Sequence, residues 1–146
     1  MAQKEKILSQ ERLLQRAFNS ARIGVWFWSL EDNVFVVNEA LAKIIGCNLE
    51  ELQPFKFDRL VAMCHPEDED LINQKFIQGK QGKIQEIALR IRMKHKSGRW
   101  NWVQINGESV DFDSSGNPTA MSGTMTDISE LYHSKNNLKL GTIRLG

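Results

Sequence analysis

Hydrophobic residues follow two different periods along the chain, and each change of period marks a change of secondary structure. Residues 4–20 contain no Gly or Pro, and Ile7, Leu14 and Ala21 recur every seven positions. This spacing places one apolar stripe along an amphipathic N-terminal helix. The stripe could pack on its own domain or form a short coiled-coil contact between two copies, and two heptads do not decide between these.

Strand patterns flank a helical middle section. Residues 25–30 and 34–37 are rich in β-formers and are separated by a polar turn, which predicts a hairpin. Apolar and polar residues alternate over 86–94, which predicts a half-buried strand. Turn signals then separate it from two further predicted strands, at 100–110 and 119–128.

Capping residues between these strand groups predict short helices. Asn38 and Asn48 are each suited to cap a helix N-terminus, and Gly46 is suited to end the first of the two helices. Strands at both ends of the chain with helices between them predict an α+β fold. In such a fold one antiparallel sheet carries helices on a single face.

Composition narrows the classes of partner and compartment. Lys+Arg 19 nearly balance Asp+Glu 18, and this net charge of +1 gives no electrostatic reason to expect nucleic acid as a partner. Cys47 and Cys64 form no CxxC pair. No run approaches the roughly 18 apolar residues of a transmembrane helix, and the N-terminus is polar. We therefore expect a cytoplasmic chain, with any membrane anchor of a longer parent protein outside it.

The segment MCHPEDED, residues 63–70, concentrates residue types that bind divalent metals. Four consecutive acids on a helix point about 100° apart, so they cannot converge on one ion. No second cluster supplies further ligands. Pro66 suits a first helical position, and acids in a first turn are favoured by the helix dipole. The segment therefore predicts a helix start and no metal site.

Five motifs follow one another over about residues 20–130. They are IGVWFWSL (23–30), NEALAKIIG (38–46), HPEDED (65–70), RIRMKHKSGRWNWVQINGESV (90–110) and GTMTDISE (123–130). Together they resemble a PAS sensor domain with its closing PAC-type motif, of the subtype common in bacterial signal-transduction proteins. Each motif alone is weak evidence, whereas all five in order are specific.

The resemblance implies a five-stranded antiparallel sheet with short helices on one face, enclosing a small cavity. It places a PAS domain at residues 21–130. The apolar pattern assigns residues 1–20 to an N-terminal helix with a possible dimer contact, and residues 131–146 are interpreted as the start of a linker to an effector absent from the chain. In proteins of this layout the effector is often a sensor histidine kinase or a diguanylate cyclase. No phosphate loop, phosphoacceptor helix or GGDEF sequence is present. We therefore expect a non-catalytic segment without catalytic residues.

Aromatic, aliphatic and sulfur-containing side chains on the predicted strands and helices are the candidates for lining the cavity. The same residues would equally fill a core, because aromatic residues are common on half-buried strands. The candidates are Trp26, Trp28, Phe35, Phe57, Met63, Phe76, Leu89, Ile91, Trp102, Met121 and Met125.

The sequence disfavours two cofactors that such cavities can hold. A covalent flavin adduct needs a reactive cysteine in a setting that neither cysteine of this chain matches. Haem needs an axial ligand, and His65, His95 and His133 are predicted at a helix start, a hairpin turn and the exit tail. We therefore predict no cofactor and leave a small-molecule ligand open.

The closing TDISE motif is the strongest candidate for signal transmission. By resemblance, Asp127, Ile128, Ser129 and Glu130 lie where the last strand leaves the domain and a signalling helix begins. Asp127 or Ser129 could cap that helix, and Glu130 would lie in its first turn.

The resulting hypothesis is a sensory module that passes a ligand- or partner-induced shift to a C-terminal effector. Its copies would form a homodimer through the N-terminal helix. One alternative is a purely structural dimerisation module with a filled core. The other is a freestanding small-molecule binder or enzyme that uses the cavity.

Overall fold

The computed structural model describes residues 2–131, with side chains from residue 9 onward. Its helices and strands follow the predicted order. They are α1 (Ala2–Ser20), β1 (Gly24–Ser29), β2 (Val34–Val37), α2 (Glu39–Ile45), α3 (Leu49–Leu52), α4 (Phe57–Ala62), α5 (Glu69–Lys80), β3 (Glu86–Lys94), β4 (Trp100–Phe112) and β5 (Pro118–Asp127). A single 3₁₀ turn, Pro66–Asp68, leads into α5.

The five strands form one antiparallel sheet in the order β2-β1-β5-β4-β3. The last strand is therefore not at an edge but between β1 and β4. This order places the point where the chain leaves the sheet beside its central strands. The predicted five-stranded α+β fold is confirmed.

Alternation along the strands divides the sheet into an inner and an outer face. In β3 the apolar residues Ile87, Leu89, Ile91 and Met93 are buried, and the residues between them are exposed or half-buried. Apolar residues of the helices from α2 to α5 pack against this inner face in one hydrophobic core. The helices therefore cover a single face, as the pattern predicts.

The predicted caps are present and reach beyond their own helices. The Asn38 side-chain oxygen accepts from the Leu41 N–H at 3.1 Å and from the Val25 N–H at 2.9 Å, so it joins α2 to β1. Gly46 ends α2 with a φ of 81°, a left-handed conformation that glycine adopts without strain. Asn48 accepts from the Glu51 N–H at the start of α3.

Both edges of the sheet are bonded by backbone from outside it. On the β3 edge, His65 N–H donates to Arg92 O at 2.9 Å, and Lys94 N–H donates to Met63 O at 2.8 Å. On the β2 edge, Phe35 N–H donates to Phe55 O at 2.7 Å. The segments that precede and follow α4 therefore hold the helical layer to the two edges.

Helix α1 presents apolar side chains to solvent. Leu13, Leu14 and Phe18 are 67%, 58% and 37% exposed, so this part of the helix does not pack on its own domain. The helix is joined to the domain near its end, where the Asn19 side-chain oxygen accepts from the Ala40 N–H at 3.0 Å. Neither α1 nor any other helix among the described residues has the length and apolar character needed to cross a membrane.

Candidate functional site

A small apolar cavity lies between the inner face of the sheet and the helices. Its free volume, measured as the space open to the centre of a water molecule, is about 10 Å³. Its lining is wholly apolar and consists of Trp26, Phe35, Val37, Leu41, Phe55, Leu60, Phe76, Ile105 and Met125. A space of this size admits about one water molecule, but a buried water needs polar partners, so the cavity favours a small apolar guest or remains dry.

Stacked aromatic rings fill the core beside the cavity. Trp28 stacks on Phe35 with ring centroids 5.3 Å apart and planes 2° apart, and on Phe57 at 5.5 Å. Phe76 from α5 contacts both tryptophans of β1, with centroids 5.7 Å from Trp26 and 5.5 Å from Trp28. Helix α5 therefore touches the cavity and the aromatic cluster through one side chain.

The position of Trp26 depends on glycine in the neighbouring strands. Trp26, Gly123 and Gly107 lie side by side across β1, β5 and β4. A Cβ atom on Gly107 would lie 2.4 Å from the indole ring, so only glycine leaves room for it there. The indole N–H donates to Thr124 O at 3.1 Å, which satisfies its one polar atom.

The predicted lining residues separate into several groups. Four of them, Trp26, Phe35, Phe76 and Met125, line the cavity. The others surround it or lie apart from it: Trp28, Leu89, Ile91 and Met121 are buried core residues, Phe57 and Met63 are partly buried against that core, and Trp102 is half-buried on the outer face.

Five lining residues were missed, namely Val37, Leu41, Phe55, Leu60 and Ile105. All are apolar, so side-chain type alone does not distinguish them from the residues that were predicted. Proximity across the core decides which residues line the cavity.

The exit of the last strand is tied to β4 by two hydrogen bonds on one residue. Ile128 N–H donates to Trp102 O at 2.9 Å, and Trp102 N–H donates to the Ser129 hydroxyl oxygen at 3.0 Å. The Asp127 carboxylate accepts from the Ser129 N–H at 2.9 Å, where a helical turn begins. We call residues 127–129 together with Trp102 the exit junction.

The exit-junction side chains have different roles. Asp127 bonds the first N–H of the helical turn, as expected for a capping residue. The Ser129 hydroxyl is instead used by the backbone of β4. Glu130 is exposed in the first turn, and the chain from residue 132 onward, with His133, lies outside the described residues.

The HPED segment starts a helix, as predicted, but one of its acids has a further role. The Asp68 carboxylate is buried and accepts from three N–H groups of Arg92: the backbone N–H at 2.8 Å, Nε at 3.0 Å and a terminal nitrogen at 2.9 Å. Glu67 accepts from the same terminal nitrogen at 3.0 Å. Asp68 and Arg92 lie 24 positions apart, and no local pattern in the sequence indicates their pairing.

Charge and hydrogen bonding keep this pair ionised. Burial works to raise the pKa of Asp68, but the hydrogen bonds and the charge of Arg92 together outweigh it and hold that pKa below its ordinary value. The hydrogen bond to Asp68 raises the pKa of Arg92 in turn, with a further contribution from Glu67. The Arg92 guanidinium also lies over the Trp102 ring, 5.0 Å from its centroid.

Cys47, Cys64, His65 and His95 are not among the residues that line the cavity. Burial raises the pKa of Cys64 to about 12, with the charges of Asp68 and Glu69 adding to the effect, so its thiol is protonated and a poor nucleophile at neutral pH. His65 caps the 3₁₀ turn, and its ring nitrogen accepts from the Glu67 N–H at 3.1 Å. His95 hydrogen-bonds Ser97 in the hairpin turn. Among the side chains that the structure describes, those of residues 9–131, no three or more from His, Cys, Asp or Glu are grouped to hold a metal ion.

Several solved structures are similar to this chain in fold. A sensory box histidine kinase/response regulator from Burkholderia thailandensis aligns with a TM-score of 0.72 at 21% identity, over 90% of this chain and 96% of that one. The N-terminal domain of a diguanylate cyclase with PAS/PAC sensor from Marinobacter aquaeolei aligns with a TM-score of 0.68 at 20% identity, over 76% of this chain and 99% of that one. The PAS domain of a protein from Colwellia psychrerythraea aligns with a TM-score of 0.63 at 20% identity, over 85% of this chain and 98% of that one.

The family model of the PAS fold matches residues 34–125. Comparison with curated protein sequences finds no significant match. The matched range runs from β2 into β5 and includes the helices that enclose the cavity. The prediction made from the five motifs is therefore confirmed: the chain belongs to the PAS fold family.

Proposed function

We propose that this PAS domain is a regulatory module that transmits a ligand- or partner-induced conformational change to a C-terminal effector. A histidine kinase or a diguanylate cyclase is the effector class that we propose, since sensory proteins of these two kinds contain similar domains. The segment itself acts by conformation and not by catalysis.

The exit junction carries this proposal. Trp102 of β4 bonds Ile128 through its carbonyl oxygen and Ser129 through its N–H, so one residue fixes where the chain leaves the sheet. A shift of β4 against β5 would therefore change the direction of the helical turn that begins at Ser129. The polar groups at this junction make directional bonds, and such bonds can switch between two arrangements.

The small cavity supports a signal that acts by moving packed side chains. About 10 Å³ of space within a stacked aromatic core supports a small guest as the ligand. A small apolar guest, or a partner that displaces α5, would act by moving packed side chains. Because cores are close-packed, such a movement is passed on to neighbouring strands instead of being absorbed.

Homodimerisation through α1 belongs to the same proposal. Leu13, Leu14 and Phe18 form an exposed apolar stripe on that helix, and pairing with a second copy would bury it. This stripe also favours the second candidate function, a purely structural dimerisation module without a ligand. Native mass spectrometry of the purified chain would report a retained ligand and the oligomeric state together, and removal of residues 1–20 should leave a monomer.

A chimera separates regulation from a structural role. The chain is fused ahead of a diguanylate cyclase catalytic domain, and cyclic di-GMP synthesis is compared between wild type and Asp127→Ala. We expect a several-fold change, because loss of the cap frees the start of the exit helix.

Asp113→Ala is the matched control for this chimera. The Asp113 carboxylate accepts from the Ser115 N–H at 2.9 Å, the same bond that Asp127 makes with Ser129, but it lies in the turn between β4 and β5. This control should retain wild-type activity. Equal activity in all three proteins would contradict regulation and favour the structural module.

A further inference from the structure

Arg92 is in contact with two parts of the molecule, the segment just before α5 and Trp102 of β4. Its backbone and side chain donate to Asp68 just before α5, and its terminal nitrogen also donates to Glu67. On its other side the guanidinium lies 5.0 Å from the centroid of the Trp102 ring.

Trp102 connects this cluster to the exit. It is the register partner of Arg92 across β3 and β4, and its backbone bonds both Ile128 and Ser129. Arg92 is therefore separated from the hydrogen bonds of the exit junction by one residue, Trp102, and a movement of Arg92 would act on those bonds through it.

The start of α5 is in turn connected to the cavity. Phe76 lies on α5, lines the cavity and contacts both tryptophans of β1. A guest that moves Phe76 would move α5, and the start of α5 is fixed to the sheet through Asp68. The buried Asp68 carboxylate cannot lose its Arg92 partner without being left with too few hydrogen-bond donors.

We infer that Arg92 is a positioning residue that couples the start of α5 to the exit junction. The inference rests on the proposed transmitting function and names its route: the cavity, Phe76, α5, Asp68, Arg92, Trp102 and the exit. From Asp68 onward the route leaves the core and runs along the β3 edge and the outer face of the sheet.

Hydrogen exchange of backbone amides, followed by NMR on the purified chain, tests this route. The readouts are the amides of Trp102 and Ile128, whose hydrogen bonds form the exit junction. In Arg92→Met both should exchange about tenfold faster than in wild type, while amides in the β1–β2 hairpin keep their rates.

Arg90→Met is the matched control. Arg90 lies on the same strand and face as Arg92, but its side chain bonds Gln104 on β4 and not the segment before α5. We expect wild-type exchange at Trp102 and Ile128 in this variant. Unchanged rates at both amides in Arg92→Met, or equal increases in the two variants, would overturn the inference.

Arg92→Lys decides the matter if Arg92→Met does not fold. Lysine keeps a positive charge opposite Asp68 and Glu67 but lacks the planar fork that binds a carboxylate with two N–H groups. The exit amides should then exchange faster while core amides retain their protection. An equal loss of protection at every amide would show that Arg92 only stabilises the fold, and would also overturn the inference.

These measurements do not depend on an effector. If the exit amides respond to Arg92 but the Asp127→Ala chimera behaves as wild type, the coupling holds and the regulatory function fails. If the chimera responds and the exit amides ignore Arg92, regulation holds and the signal takes another route.

Discussion

Phe76 and Asp68 belong to the same helical segment, yet they are held by opposite kinds of interaction. Phe76 is 1% exposed and contacts the rings of Trp26, Trp28 and Phe57. Asp68 is held by charged, directional hydrogen bonds to Arg92. The first kind of contact depends on apolar area and shape, and the second on ionisation and geometry.

This difference assigns two tasks to one segment. Apolar packing around Phe76 stabilises the fold over a wide range of pH and salt, because it involves no titrating group. The contact at Asp68 holds the outer face of the sheet through bonds that can be made and broken. A helix anchored in both ways can pass a change in packing to a polar junction.

The largest expected effect lies on the packing side. Phe76→Ala should lower the free energy of unfolding by about 3–5 kcal/mol, since it removes a buried ring and leaves a cavity. Ile77→Ala is the control, because Ile77 is the next residue of the same helix and is 44% exposed. That variant should lose less than about 1 kcal/mol. Urea unfolding measures both, and equal losses would show that the aromatic cluster is not the principal source of stability.

A smaller effect is expected where glycine admits the indole of Trp26. Gly107→Ala should cost about 1–3 kcal/mol, because the new methyl group would lie 2.4 Å from the ring. In a Trp26→Phe background the same change should cost much less, since phenylalanine lacks the outer indole atoms that the methyl group meets. Ser122 O at 3.2 Å leaves a small residual strain. Urea unfolding of wild type, the two single variants and the double variant gives a double-mutant cycle. If the losses of unfolding free energy in the single variants simply add in the double variant, this account is contradicted.

The smallest expected effect is a dependence of stability on pH, which should arise at Asp68 and not at Phe76. The pKa of Asp68 is below its ordinary value in the folded chain, so its contribution to stability is fully present above the unfolded pKa of about 3.9. The contribution is lost as pH falls through the folded pKa. The stability difference between wild type and Asp68→Asn should therefore be constant near neutral pH and shrink on acidification below about pH 4.

Phe76→Leu provides the comparison for this titration. Its stability difference from wild type should not change with pH, because the substitution removes apolar contacts alone. Urea unfolding at a series of pH values measures both differences. A difference for Asp68→Asn that stays constant down to the acid limit would show that the carboxylate is not held by charge.

Features that depend on neighbouring residues could be predicted from the sequence. Asn38, Gly46 and Asn48 act within one helical turn, and alternation along residues 86–94 reveals which face of β3 is buried. The helix start at Pro66 follows from the same local rules. Motif resemblance then added the family and the enclosed cavity.

Features that depend on distant partners could not be predicted in this way. Nothing local to Asp68 identifies Arg92, and nothing local to Gly107 identifies the indole that it admits. The cavity lining was predicted only in part for the same reason, since Leu41 and Ile105 reach it from different elements. Asp127 and Ser129 were alternative caps for the exit helix, and the sequence did not show that the Ser129 hydroxyl accepts instead from Trp102 on β4, a strand that is remote in sequence.

The bonds on the two sheet edges have a consequence for assembly. An exposed edge strand offers unpaired N–H and C=O groups to a strand of another chain, which leads to sheet extension and aggregation. Here backbone at residues 63–65 occupies part of one edge, and Phe55 occupies part of the other. The sheet is thereby hindered from growing sideways, so pairing of its edge strands with those of another copy is a disfavoured route to aggregation.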